Sequence, residues 1–190
     1  MRGIALIGAS TGAPRTHHLY LRAMPPELAV PVIIVQHMPP GPFMDGMLRY
    51  LQRAVELPVR LAKENELLRP REVLLARPGT QARIVPGGLL RSTAHRGENY
   101  FSPSMDVTFE SAARVFGPRC CVAMLSGLHA THDGIRGCQA VRAAGGRVFV
   151  SDAASTPCGA MIAQVRKAGA IDEEVPIDGL LVAMMRWLQG

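Results

Sequence analysis

Six short apolar runs, at residues 4–7, 30–36, 59–62, 73–76, 120–125 and 148–150, are separated by segments with the period of helices. None of the six alternates strictly between apolar and polar side chains, which is the pattern of strands buried on both faces. Such strands belong to a parallel sheet, where each connection must cross the sheet and a helix makes the crossing. Helices are expected at about 14–23, 43–54, 104–116, 133–144, 159–168 and 178–189. The alternation predicts an α/β fold, a doubly wound and mostly parallel sheet flanked by helices. Residues 67–99 break the rhythm. Pro70, Pro78-Gly79, Pro86-Gly87-Gly88 and Gly97 punctuate short apolar pieces there, and a hairpin excursion is expected. No internal repeat and no linker divides the chain, so one domain over residues 1–190 is expected.

Composition narrows the function classes. Hydrophobic residues make up 48% of the chain, enough for a sizeable core. No apolar run approaches the roughly 20 residues that span a bilayer. Met1-Arg2-Gly3 leads into the first strand too soon for a signal peptide, so a cytoplasmic protein without membrane insertion is expected. Cys120, Cys121, Cys138 and Cys158 form no CxxC pair and read as small core side chains. The formal charge of +6 comes from scattered arginines that are not interleaved with aromatics. That argues against nucleic acid as a partner and leaves a basic surface able to steer an acidic protein.

In an open parallel sheet, function gathers at the carboxyl ends of the strands. The first run leads into Gly8-Ala9-Ser10-Thr11-Gly12, a GxSxG spacing that mounts a serine on a sharp strand-to-helix turn. The helix opening there offers free N–H groups and a positive dipole end to an oxyanion or a phosphate. Ordinary βα turns also favour Gly and Ser, so the turn alone leaves a nucleophilic and a structural role open. The second run ends in Gln36-His37-Met38-Pro39-Pro40, and the fifth in Ser126-Gly127-Leu128-His129-Ala130-Thr131-His132-Asp133-Gly134. Ser10, His37 and Asp133 then form a candidate set of nucleophile, general base and orienting carboxylate. Backbone N–H groups at Thr11 and Gly12 would supply part of an oxyanion hole. Taken singly, His37 also reads as a packing residue at a strand end, and Asp133 as a helix N-cap.

Over nearly its whole length the chain resembles the catalytic domain of the chemotaxis-receptor methylesterases (CheB), which demethylate and often deamidate receptor side chains. Ile7-Gly8-Ala9-Ser10-Thr11-Gly12 is similar to that family's nucleophile segment, and Val35-Gln36-His37-Met38-Pro39-Pro40-Gly41 to its histidine segment. Pro103-Ser104-Met105-Asp106-Val107-Thr108-Phe109 and Leu125-Ser126-Gly127, followed by Asp133-Gly134, resemble its later signatures. The resemblance implies a doubly wound fold, Ser10 as nucleophile, His37 as base and then acid, and Asp133 as the orienting carboxylate. It places Thr11 along the active site and implies no metal and no organic cofactor. The implied substrate is a glutamate methyl ester on a methyl-accepting chemoreceptor, with glutamine deamidation as a companion reaction. The implied partners are methylated chemoreceptor cytoplasmic helices and other chemosensory signalling proteins.

Several positions depart from the family pattern. The segment from Gly127 to Asp133 is two residues longer than the family's usual Gly-Met-Gly-x-Asp-Gly, and Leu128 occupies the position of an active-site methionine. Ala13, Ala82, Ala153 and Cys158-Gly159-Ala160-Met161 also differ. The usual family protein carries an N-terminal receiver domain, and these 190 residues contain none. A second reading is therefore a catalytically impaired module that binds a receptor or scaffold in a chemosensory pathway. A third, metal-assisted hydrolysis, rests on His129, His132 and Asp133 with His17-His18, and lacks a third ligand at a recognised spacing. Nucleotide binding at the Gly8 to Gly12 turn has neither GxGxxG nor a P-loop lysine. The first two readings part on geometry. Hydrogen bonds from Ser10 to His37 and from His37 to Asp133 favour hydrolysis, whereas a loop that carries Asp133 away from His37 favours the binding module.

Overall fold

The computed structural model describes residues 3–25, 27–94, 101–128 and 132–190, with the backbone alone at 13–15. In chain order the strands are β1 (Ile4–Ala9), β2 (Val32–Gln36), β3 (Val59–Leu61), β4 (Asn65–Leu67), β5 (Val73–Leu75), β6 (Thr80–Val85), β7 (Leu89–Ala94), β8 (Cys120–Met124), β9 (Arg147–Ser151) and β10 (Glu173–Val175). The helices are α1 (Ala13–Leu21), α2 (Phe43–Gln52), α3 (Met105–Phe116), α4 (Ile135–Ala143), α5 (Ala160–Lys167) and α6 (Leu180–Gln189). Seven strands form one sheet in the order β10-β9-β8-β1-β2-β5-β3, and every pairing in it is parallel.

The two-residue period of a strand explains why the apolar runs do not alternate. Ile4 and Leu6 of β1 pack on one face with Phe109 of α3, Val141 of α4 and Ile162 of α5. Ala5, Ile7 and Ala9 pack on the other with Tyr20 of α1, Leu51 of α2 and Met184 of α6. Both faces are dry, so every position along the strand must be apolar. Each large side chain fully buried in this way contributes about 1.5–3 kcal/mol relative to exposure.

The hairpin excursion is present, in a second sheet of order β4-β7-β6 whose pairings are antiparallel. The turn between β6 and β7 is Pro86-Gly87-Gly88, while β5, inside the same stretch, belongs to the parallel sheet. Residues 95–99 of the expected excursion lie outside the described residues. Helix α3 ties the two sheets together: Thr108 Oγ1 donates to the carbonyl of Ala82 at 2.9 Å, and Ile84 N donates to Ser111 Oγ at 2.9 Å. Ala82 is fully buried in that contact.

One strand start and one additional strand differ from expectation for local reasons. Strand β2 begins at Val32 and not at 30, because Pro31 has no N–H to give to a ladder. Strand β10 has no counterpart in the sequence reading. It is three residues long, begins Glu173-Glu174 and lies at the sheet edge, where charge discourages further pairing and no apolar run is needed. Among the described residues no helix is long and apolar enough to cross a membrane.

From β1 the sheet grows through β2 on one side and through β8 on the other. In open α/β sheets the crevice at such a reversal is where ligands bind. The segments leaving β1, β2 and β8 carry Ser10, His37 and the chain toward Asp133.

Candidate functional site

Beyond the end of β1, the Ser10 turn is fastened to the segment that follows β8. Ser10 N donates to the carbonyl of Ser126 at 3.0 Å, and Ser126 Oγ donates to the carbonyl of Thr11 at 2.8 Å. Ser126 Oγ also accepts from Cys158 N at 3.1 Å, so half-buried Cys158 braces the turn and is not a core residue as expected. Ser10 is 8% exposed, Thr11 is exposed and Gly12 is half-buried. Gly12 has φ +87°, and a Cβ there would lie 2.5 Å from Ser126 Oγ. Gly12→Ala therefore combines backbone strain with a clash, and is expected to lower stability by about 2–3 kcal/mol in urea unfolding.

His37 follows the last residue of β2, and its N–H donates to the carbonyl of Ala9 at 2.9 Å. Its ring lies flat against Phe101, with centroids 4.2 Å apart and planes 10° from parallel. Nε2 donates to Asp133 Oδ2 at 2.7 Å, between side chains only 6% and 8% exposed. A proton held on Nε2 by a carboxylate leaves Nδ1 as the lone-pair nitrogen. Nδ1 is buried and has no hydrogen-bond partner among the described residues.

Asp133 sits against the N-terminus of α3. Oδ1 accepts from Ser104 Oγ at 2.6 Å and from Asp106 N at 3.1 Å; Oδ2 accepts from Met105 N at 2.8 Å as well as from His37. Burial pushes this carboxyl up, but the hydrogen bonds from His37, Ser104 and the two N–H groups outweigh it, and the pKa ends below its ordinary value. The stability that Asp133 contributes is thus complete above the ordinary aspartate pKa of 3.8, and is lost as acidification proceeds below it. The residue is not the N-cap of α4, which begins at Ile135 behind Gly134. Its charge serves the dipole of α3 instead.

A reciprocal brace holds the Asp133 loop. Asp106 Oδ1 accepts from Gly134 N and from Gly137 N, each at 2.8 Å, and Oδ2 accepts from Arg136 Nε at 3.2 Å. Burial raises the Asp106 pKa against the Gly137 N–H bond, and the nearby Asp133 charge adds to the rise. Asp106→Ala would leave two buried N–H groups without an acceptor, a loss of about 2–4 kcal/mol expected in denaturant titration. Asp106→Asn keeps a carbonyl oxygen there and is expected to cost markedly less.

Of the expected site residues, the structure brings His37 and Asp133 into direct contact despite the longer loop. Ser10 is joined to His37 through the backbone and the Gln36 side chain, with no direct hydrogen bond among the described residues. Leu128 is 56% exposed, and His129 of the metal reading lies outside the described residues. Asp133 spends both carboxylate oxygens on α3 and His37. Several contributors had no role in the sequence reading: Phe101 under the imidazole, Gln81, and Ser104 and Asp106 around Asp133, which entered it only as part of a family-like segment. Gln81 accepts from Ser104 N at 3.0 Å and donates to the carbonyl of Phe101 at 2.7 Å. A shallow groove of about 320 Å³, lined by His37, Met38, Pro39, Pro40, Phe101 and Ser102, opens beside the imidazole.

Comparison with known proteins identifies the family. Residues 5–184 match the family described as CheB methylesterase. A protein-glutamate methylesterase/protein-glutamine glutaminase 2 of Anaeromyxobacter dehalogenans is 34% identical over 175 residues, covering 92% of this chain and 50% of that protein. The protein-glutamate methylesterase FrzG of Myxococcus xanthus is 32% identical over 185 residues, covering 97% and 54%. The chain thus spans about half the length of the curated relatives it matches. The crystal structure of the Thermotoga maritima CheB methylesterase catalytic domain superposes with a TM-score of 0.89 at 26% identity, over 97% of each chain. A match that takes in the serine turn, the histidine strand end and the aspartate loop alike makes this chain a member of the CheB methylesterase family.

Proposed function

We propose that this chain is a serine hydrolase that removes methyl groups from glutamate esters on the cytoplasmic helices of chemoreceptors, and deamidates glutamines there. The observation that carries the reading is the His37 imidazole: Nε2 is fixed on Asp133, and Nδ1 is buried with no hydrogen-bond partner among the described residues. A lone pair kept free in that way is what a general base requires. In the common serine-protease arrangement Nδ1 faces the aspartate and Nε2 the serine; here Nε2 faces the aspartate, which leaves Nδ1 to serve Ser10 in the proposed reaction.

Ser10 Oγ attacks the ester carbonyl carbon as its proton passes to His37 Nδ1. The imidazolium is stabilised by Asp133. N–H groups of Thr11 and Gly12, at the positive end of α1, stabilise the oxyanion. The carbon–methoxy bond then breaks and methanol leaves with the proton from His37, giving a glutamyl ester of Ser10. Water loses a proton to His37, attacks that ester and releases the glutamate carboxylate, and the proton returns to Ser10. With a glutamine side chain the same sequence expels ammonia. A resting serine–histidine contact is often loose and tightens once substrate is bound.

The names of the relatives, methylesterase and glutaminase, support this substrate class. The groove beside His37, with Met38, Pro39, Pro40 and Phe101 on its walls, suits a helix surface, and exposed Leu128 is read as a further substrate contact. Neither a metal nor an organic cofactor takes part in these steps. Purified protein mixed with a methylated receptor cytoplasmic fragment is expected to release methanol stoichiometric with ester. Binding of that fragment with no methanol released would overturn the reading in favour of an impaired receptor-binding module.

A further inference from the structure

Where the β1–β2 ladder ends, a buried polar chain takes over. Ala9 stands opposite Gln36, and beyond them the two strands part, one into the Ser10 turn and the other into His37. The Gln36 side chain, only 4% exposed, spans the gap: Nε2 donates to the carbonyl of Ser10 at 3.0 Å and to that of His37 at 3.0 Å. Both amide hydrogens are used on carbonyls, so the amide cannot turn over without setting oxygen against oxygen. Oε1 must accept, and it lies 2.9 Å from His17 Nε2. The His17 tautomer follows. Nε2 carries the hydrogen, and Nδ1 accepts from the Tyr20 hydroxyl.

His17 is fully buried, and burial brings its pKa down to about 4 against the opposing bond to Gln36, so the ring is neutral at physiological pH. Burial pushes the Tyr20 phenol up, which keeps its proton in place for donation. Every donor in the series Tyr20, His17, Gln36 therefore has one acceptor, and the series ends on the backbones of the two residues proposed to exchange a proton. His17 belongs to α1, the helix that the Ser10 turn opens, so the turn is tied back to β2 from its far side.

We infer that His17 and Gln36 are positioning residues, a relay that sets the Ser10 turn against His37; this rests on the hydrolase reading above. Ser10 and His37 leave different strands, and the last backbone rung between them is the His37 N–H bond to Ala9. The relay supplies the constraint that the ladder no longer gives. It touches no substrate, so it acts on the chemical step and not on binding. Misplacing reacting groups by about 1 Å can cost about 10²-fold in rate.

The test uses the whole chain with two readouts. One is kcat and KM for methanol release from a methylated receptor fragment; the other is labelling of Ser10 by a small fluorophosphonate, which needs no receptor contact. Gln36→Leu, similar in bulk and without polar atoms, is expected to lower kcat and the labelling rate about 100-fold with KM changed less than about threefold. His17→Leu is expected to fall about tenfold, as the amide loses its anchor but keeps its two carbonyls. His17→Gln is expected to recover most of that loss, because its amide can both accept from Tyr20 and donate to Gln36. Tyr20→Phe removes a single hydroxyl and provides a mild variant that retains the core ring. Labelling of the wild type at Ser10 with unchanged rates in the folded variants would overturn the relay alone, as would losses confined to KM. Labelling of the wild type anywhere but Ser10 would overturn the hydrolase reading and the relay with it.

Discussion

Ser10→Ala is expected to reduce methanol release from methylated receptor by about 10⁴-fold or more, while thermal unfolding stays within a degree or two of wild type. The kinetic half follows from the proposed sequence of bonds, since without Oγ no ester to the protein can form. What remains is the modest help of the Thr11 and Gly12 N–H groups and of substrate positioning to direct attack by water. The stability half follows from the structure. The turn is fixed through Ser10 N and through the carbonyls of Ser10 and Thr11, all of them backbone groups that alanine retains. Methanol assays on wild type and variant at matched concentrations, with a melting curve for each, check both halves. A large fall in melting temperature would show that the serine side chain has a packing role that the hydrogen bonds do not reveal.

Asp133→Ala is expected to fail in two separable ways. The rate falls by about 10³–10⁴-fold, because nothing then holds the proton on His37 Nε2 or stabilises the imidazolium. Stability falls by about 3–5 kcal/mol, because Ser104 Oγ and the N–H groups of Met105 and Asp106 lose their shared acceptor at the start of α3. Asp133→Asn separates the effects. Its amide oxygen can still accept from Ser104 Oγ and Asp106 N and spare part of the stability, while its uncharged side chain cannot stabilise the imidazolium, so the kinetic loss persists. Denaturant titration and kcat measured on both variants check the division. Equal stability in Ala and Asn variants would contradict the capping role of this carboxylate.

The parallel sheet was legible because burial on both faces leaves an uninterrupted apolar run, and β1, β2 up to Val35, and β8 carry such runs. Strand β10 was not, since an edge strand of three residues with two glutamates needs no core signature. The crevice between the ends of β1 and β8 follows from topology, so the segments carrying Ser10, His37 and Asp133 pointed to one edge from spacing alone. The partners of those residues did not. Asp106 lies 27 residues before Asp133 and reads as an ordinary acidic residue in the first turn of a helix; only the packing of α3 on α4 shows that it holds Gly134 and Gly137. Which nitrogen of His37 faces the carboxylate is likewise a matter of ring rotation, set by the stacked Phe101 and the position of α3. His17 suggested a metal ligand by its neighbour His18. Burial against Tyr20 and Gln36 gives it a hydrogen-bonding role instead.

Ester cleavage is proposed to pass through Ser10. This route is tested most directly by quenching the reaction with methylated receptor in acid during the first turnovers and locating the covalent link by peptide mass spectrometry. A receptor glutamyl group esterified to Ser10, removed by hydroxylamine, is the expected result. A glutamyl link on any other side chain of this protein would contradict it.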